Sequence, residues 1–102
     1  MNREQAIAVL RKHEPELKAD GVLGISIFGS TARGDNGPDS DVDVAVRLAD
    51  TFSNGGLAYF GRLDELERRL SRLLDCSVHV LEEPVRKHHL QADIDRDRAL
   101  AF

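Results

Sequence analysis

The most constraining feature of the sequence is a pair of apolar segments separated by a turn. Residues 23–28 read Leu-Gly-Ile-Ser-Ile-Phe, a pattern that predicts a buried strand. Its core face is expected to hold Leu23, Ile25 and Ile27. The strand is expected to end at Gly29, because a residue without a side chain permits an abrupt turn and close approach of another group.

The second segment alternates valines with aspartates. Val42, Val44 and Val46 are predicted to share the buried face of a strand, with Asp41 and Asp43 on the opposite face. Residues two apart in a strand lie about 6.5–7 Å apart at Cα, so the two carboxylates can converge on one hard cation such as Mg²⁺. Without a cation they would repel. The pattern therefore favours a metal site over a purely structural role.

The residues between the two strands suit an anionic ligand. Ser30 offers a backbone N–H and a hydroxyl at the start of a possible short helix that runs to Arg33, an arrangement that favours phosphate oxygens. Two roles for Arg33 remain open: it either contacts phosphate or braces the acidic loop that follows.

Gly29-Ser30, ten intervening residues and Asp41-Val42-Asp43 resemble the signature of the polymerase-beta-like nucleotidyltransferase superfamily. The fuller run, Phe-Gly-Ser-Thr-Ala-Arg-Gly-Asp over residues 28–35, is similar to that of the MNT-type minimal nucleotidyltransferase domains. The resemblance extends over nearly the whole chain. It implies an α/β (α+β) fold, with a small mixed three-stranded sheet packed with helices, in one domain formed by residues 1–102.

The resemblance also implies an activity: Mg²⁺-dependent transfer of a nucleotide, AMP from ATP, to a hydroxyl acceptor. On this interpretation Gly29 and Ser30 bind the β- and γ-phosphates of the nucleoside triphosphate, with Arg33 as the further candidate for phosphate binding, while Asp41 and Asp43 hold Mg²⁺ and take part in catalysis. Domains of this kind are commonly the antitoxins of HEPN/MNT toxin-antitoxin pairs. The implied acceptor is then a tyrosine of a small helical HEPN toxin.

One position departs from the resemblance. A third strand is predicted over residues 76–81, where the resemblance implies a third catalytic aspartate, and His79 stands there instead. Imidazole is a neutral, softer ligand that suits Mg²⁺ poorly, although it can act as a general base near neutral pH. Two hypotheses follow: an enzyme in which His79 is catalytic, or a weakened nucleotide-binding module that neutralises a partner by binding. An enzyme that modifies a small molecule ranks third, since it needs more chain to enclose its acceptor.

Composition and charge narrow the partners and cellular locations that the sequence allows. The net charge is −4 over 102 residues, which argues against a nucleic-acid partner. The sequence has no apolar run long enough for a membrane span or a signal peptide, and Cys76 is the only cysteine, so no internal disulfide can form. A cytoplasmic location is expected.

The remaining segments predict helices around the sheet. Asn2 and Gln5 form an approximate capping box for a first helix, which Pro15 should kink or restart. Residues 49–56 are predicted to form an exposed loop, and a helix should begin at Pro84 and continue through the tail, in one or two pieces. Residues 57–75 predict an amphipathic helix with an apolar stripe. The stripe comprises Phe60, Leu63, Leu66, Leu70, Leu73 and Leu74.

Overall fold

The computed structural model describes residues 1–52 and 57–102, so the predicted loop lies partly outside the described residues. The elements in chain order are α1 (Arg3–Lys12), α2 (Glu14–Ala19), β1 (Val22–Phe28), α3 (Gly29–Arg33), β2 (Val42–Leu48), α4 (Leu57–Leu74), β3 (Val78–Glu82), α5 (His88–Asp97) and β4 (Ala99–Leu100). Among these described helices, none combines the length and apolar character that a membrane crossing requires.

The strands of the described residues form one sheet in the order β3-β2-β1-β4. β1 is antiparallel to both β2 and β4, whereas β2 and β3 are parallel. The prediction of three strands is therefore wrong by one. β4 contains only Ala99 and Leu100, which is too short for alternation to be visible in the sequence. It forms because these residues pair with Ile27 and Ser26 of β1.

The main core lies on the face of the sheet that the valines occupy. Val42, Val44 and Val46 are fully buried, as predicted, and pack in one cluster with side chains from α1, α2 and α4. Burying a side chain of this size stabilises the fold by roughly 1.5–3 kcal/mol. The α4 residues of this cluster are Leu66, Leu70 and Leu74, with Leu63 and Leu73 packed beside them.

Two predicted core residues are exposed instead. Phe60 is 69% exposed and stacks on Tyr59 near the start of α4. Leu23 is 49% exposed, because the β1–β2 register shifts between Val22 and Gly24. This irregularity places one extra residue in β1 and turns Leu23 out of the core.

The other face of the sheet is covered by α5. Phe28, Ala45 and Ile94 form a second, smaller buried cluster there. Asp43 and His79 alternate with buried neighbours on their strands, so they lie on this second face, near the start of β2 and β3. The sheet therefore presents these two polar side chains beside the end of β1.

The N-terminal helices begin as the sequence predicts. The Asn2 side chain accepts a hydrogen bond from the backbone N–H of Gln5, and the Gln5 side chain accepts one from the backbone N–H of Asn2. Pro15 lies in the first turn of α2, where its lack of an N–H costs nothing. The predicted capping box and restart are confirmed.

An ion-pair network joins the end of β3 to α5 and β1. Arg98 donates to both carboxylate oxygens of Glu83, at 2.8 and 2.5 Å, and to the buried Ser26 hydroxyl at 2.9 Å. The Glu83 side chain is only 9% exposed. The ion pair with Arg98 holds the pKa of Glu83 below its usual value, with a further contribution from the Gln91 amide.

Because the pKa of Glu83 is lower in the folded state, its ion pair stabilises the fold above about pH 4.3, the ordinary glutamate value, and this contribution is lost as the pH falls through the lower folded pKa. We expect Glu83→Gln to reduce the free energy of unfolding by about 1–3 kcal/mol at pH 7, and the difference from the unsubstituted chain to shrink in acid. Urea unfolding at neutral and acidic pH measures this. The exposed Glu65→Gln is the control, and an equal difference at both pH values would contradict the assignment.

Candidate functional site

Gly29 connects the end of β1 to α3 in a conformation that favours glycine. Its φ is +72°, in the left-handed region. A Cβ atom at this position would lie 2.7 Å from Oδ2 of Asp43. Both the backbone angle and the space therefore require glycine, and the Asp43 carboxylate lies directly against the turn. This contact brings the two halves of the predicted motif together.

The two aspartates lie at the start of β2. The strand begins at Val42, so Asp41 immediately precedes it and Asp43 is its second residue. Asp43 is aligned with Phe28 on the β1 side and with His79 on the β3 side. The central position of β2 in the sheet thus places Asp43 between the glycine turn and the predicted catalytic histidine.

His79 is directly bonded to the other aspartate. Its Nε2 donates to Oδ2 of Asp41 at 2.7 Å, and the two side chains are 60% and 44% exposed. The hydrogen bond to Asp41 raises the pKa of His79, and the negative charges of Asp41 and Asp43 raise it further. Its neighbours on β3, Val78 and Val80, are buried, whereas His79 is exposed. Solvent can therefore reach the imidazole and Asp41.

Asp43 is the less exposed of the two acids. Partial burial raises the pKa of its carboxyl group, and the charge of Asp41 adds to this effect, while His79 and Arg33 oppose it. A divalent cation would relieve both the burial cost and the repulsion, so the carboxylate pair fits Mg²⁺. Within residues 1–52 and 57–102, no group of three or more His, Cys, Asp or Glu side chains could hold a metal ion. Mg²⁺ would then complete its coordination with phosphate oxygens and water, as it commonly does.

The short helix α3 carries the other predicted ligand-binding residues. Ser30 is half-buried at its start, and no side chain of the described residues caps this N-terminus. Its unpaired backbone N–H groups suit an anion. The helix ends at Gly34, whose φ is +84°, and Arg3 of α1 donates to the Ala32 carbonyl at 3.0 Å. These contacts fix the C-terminal end of α3.

Arg33 is held by two carboxylates. Its Nε donates to Asp35 at 3.2 Å and its Nη1 donates to Asp97 at 2.8 Å. Of the two roles that the sequence left open, bracing the acidic loop is the one that this structure contains. The Arg33 side chain remains 45% exposed. Asp97 is a site residue that the sequence pattern does not reveal, because it lies 64 positions from Arg33.

A nucleotidyltransferase domain family model matches residues 10–100, which include the glycine turn, both aspartates and His79. The chain belongs to this family. The superfamily assignment from the motif is therefore confirmed, and the helix-covered mixed sheet is the fold of a minimal nucleotidyltransferase.

Known proteins agree with the family assignment. A Methanocaldococcus jannaschii protein named "Putative protein adenylyltransferase MJ1215" is 39% identical over 74 residues, which are 72% of this chain and 79% of the relative. The solved structure of a "putative minimal nucleotidyltransferase" is 25% identical with a TM-score of 0.72, and the match covers 97% of this chain and 95% of that one. A crystal structure of a toxin-antitoxin complex with AMP-PNP is 25% identical with a TM-score of 0.68, covering 100% of this chain and 73% of that one.

Proposed function

We propose that this nucleotidyltransferase transfers AMP from ATP, with Mg²⁺, to a hydroxyl group of a partner protein and thereby acts as an antitoxin. The observation that carries the proposal is the contact of the Asp43 carboxylate with the Gly29 turn, since it joins a carboxylate pair to a helix start suited to phosphate. The similarity to a protein named as an adenylyltransferase and to a toxin-antitoxin complex with AMP-PNP supports the same activity.

Different residues of the site would contact the metal, the phosphates and the acceptor. Asp41 and Asp43 would hold Mg²⁺, which when bound neutralises the triphosphate and aligns the attacking and leaving oxygens. Ser30 and the free N–H groups at the start of α3 would bind phosphate oxygens. His79 is exposed enough for an acceptor hydroxyl to reach the imidazole.

The reaction needs no other reactant. The acceptor oxygen forms a bond to the α-phosphorus of ATP, the bond between that phosphorus and the bridging oxygen to the β-phosphate breaks, and pyrophosphate leaves. The proton of the acceptor hydroxyl passes to His79 or to water. The products are the adenylylated acceptor and pyrophosphate.

We propose a tyrosine of a helical HEPN toxin as the acceptor, as the resemblance of the motif implies. Asp41 and His79 lie on an open surface rather than in a closed cavity, because they are 44% and 60% exposed. An open site admits a side chain presented by a folded protein. The toxin would therefore supply the surface that encloses the reacting hydroxyl.

The test uses the chain, the protein encoded by the neighbouring gene and ATP labelled at the α-phosphate. We expect label on the partner with Mg²⁺, none with a chelator, and none when the label is on the γ-phosphate, since AMP transfer retains only the α-phosphate. Mapping the labelled residue tests the tyrosine. A tight complex without label would overturn the enzymatic proposal and favour the binding module.

His79 favours this second candidate, because its hydrogen bond occupies one carboxylate oxygen of Asp41 and because it brings no negative charge. Replacing it with aspartate tests whether the missing third carboxylate limits the transfer. His79 is aligned with Asp43 on the neighbouring strand, so His79→Asp adds a third carboxylate beside the pair. We expect the initial rate of label transfer to rise about tenfold. His89→Asp, an exposed change on α5, is the control. An unchanged rate would indicate that a third acid does not limit the reaction.

A further inference from the structure

The last residue of α5, Asp97, is bonded to Arg33 at the end of α3. The Asp97 side chain is only 6% exposed, and its Oδ2 accepts a hydrogen bond from Arg33 Nη1 at 2.8 Å. Its Oδ1 accepts a second from Arg96 Nε at 3.1 Å. A carboxylate that accepts charge-assisted hydrogen bonds from two guanidinium groups holds them in a defined orientation.

Arg33 depends on this anchor for its position. It ends α3, a helix of five residues, which is too short to be stable without tertiary contacts. Its other carboxylate partner, Asp35, is 61% exposed and lies in the loop that follows. Asp97 belongs instead to α5, which is fixed on the sheet by the fully buried Ile94. The rigid partner of Arg33 is therefore Asp97.

Arg33 lies on the same short helix as the glycine turn. It ends α3, which begins at Gly29, where an added Cβ would lie 2.7 Å from Oδ2 of Asp43. The Arg33 side chain is 45% exposed, so its pairing with carboxylates does not cover it completely. A cation at the end of this helix is available to the outer phosphates of a triphosphate bound at its start.

We propose that Asp97 is a positioning residue that holds the Arg33 guanidinium ready for the β- and γ-phosphates of ATP. This inference rests on the proposed function. It assigns the C-terminal helix α5 a part in nucleotide affinity, although α5 contributes no residue to the motif. It also gives Arg33 both roles that the sequence left open, because the bond to Asp35 braces the acidic loop while the bond to Asp97 orients the guanidinium toward phosphate.

The test compares two nucleotides by calorimetry in Mg²⁺: a non-hydrolysable ATP analogue, and AMP, which lacks the outer phosphates. We expect Asp97→Asn to weaken binding of the analogue about tenfold and binding of AMP by less than about twofold. Asp97→Glu should restore part of the loss. Asp93→Asn is the control, because Asp93 also lies on α5 and pairs with Arg96 at 3.3 Å but does not contact Arg33; it should leave both affinities unchanged.

A double-variant cycle separates positioning from a general structural effect. Arg33→Gln combined with Asp97→Asn should bind the analogue no more weakly than Arg33→Gln alone. Additive losses, or equal losses for the analogue and AMP, would overturn the inference. If Asp97→Asn does not fold, Arg33→Lys replaces it as the test, because lysine keeps the positive charge but lacks the planar, multiply donating guanidinium. This variant should bind the ATP analogue more weakly and AMP equally well. Unchanged binding of the analogue would overturn the inference. Failure of the unsubstituted chain to bind the analogue would refute the proposed function itself.

Discussion

Replacing both Asp41 and Asp43 with asparagine is expected to abolish Mg²⁺-dependent binding of ATP. The double variant removes both negative charges while keeping the shape of the side chains, so Mg²⁺ loses the two anionic ligands that the chain offers. We expect the affinity for an ATP analogue in Mg²⁺ to fall about a hundredfold or more. Isothermal titration calorimetry with and without a chelator measures this loss.

The same change should leave the fold intact. Burial and the charge of Asp41 raise the pKa of Asp43, which means that the folded state disfavours the ionised form. Removing that charge should therefore not lower the melting temperature. Asp39→Asn, an exposed change in the adjacent loop, is the control and should bind as the unsubstituted chain does. An unchanged titration heat in the double variant would refute the assignment of the metal site.

Gly29→Ala is expected to have the second largest effect, because it combines two costs. A non-glycine residue at a φ of +72° is strained by about 1–2 kcal/mol, and the new Cβ would lie 2.7 Å from Oδ2 of Asp43. The carboxylate must move away from the turn, so we expect both a lower melting temperature and at least a tenfold loss of ATP-analogue affinity. Thermal unfolding and calorimetry measure the two effects.

Gly34→Ala provides a matched control. Its φ of +84° brings the same backbone strain, but a Cβ there would meet nothing within 4 Å among the described residues. It should therefore lower the melting temperature by a similar amount and leave nucleotide affinity unchanged. Equal affinities for the Gly29→Ala and Gly34→Ala variants would mean that the contact with Asp43 does not shape the site.

The parts of the fold that depend on local chemistry could be predicted from the sequence. The capping box of Asn2 and Gln5 forms because both partners lie within one helical turn. The buried valine face of β2 follows from the strict alternation of valines and aspartates along the strand. These predictions needed only spacing along the chain.

The errors arose where distant residues determine the structure. β4 forms only because β1 offers a free edge, and a two-residue strand has no pattern of its own. Leu23 is exposed because of the register shift between β1 and β2. Phe60 belongs to the apolar stripe of α4 by spacing, yet near the helix start it lies 69% exposed. The spacing of apolar residues along one helix does not show which part of that helix the rest of the fold covers.

The same limit applies to the site. The motif identified Gly29, Asp41 and Asp43, but neither the bond between His79 and Asp41 nor the anchor of Arg33 on Asp97 has a signal in the sequence. These partners are 38 and 64 positions apart. The sequence therefore predicts which chemistry the site can carry, whereas the structure adds which side chains hold its residues in place.

The most direct test of the account is a crystal structure of the chain with a non-hydrolysable ATP analogue and Mn²⁺ in place of Mg²⁺, because the anomalous signal of manganese locates the ion. We expect an ion about 2 Å from carboxylate oxygens of both Asp41 and Asp43, with the outer phosphates at the start of α3. An ion bound elsewhere, or a nucleotide bound without contact to these two aspartates, would contradict the central claim.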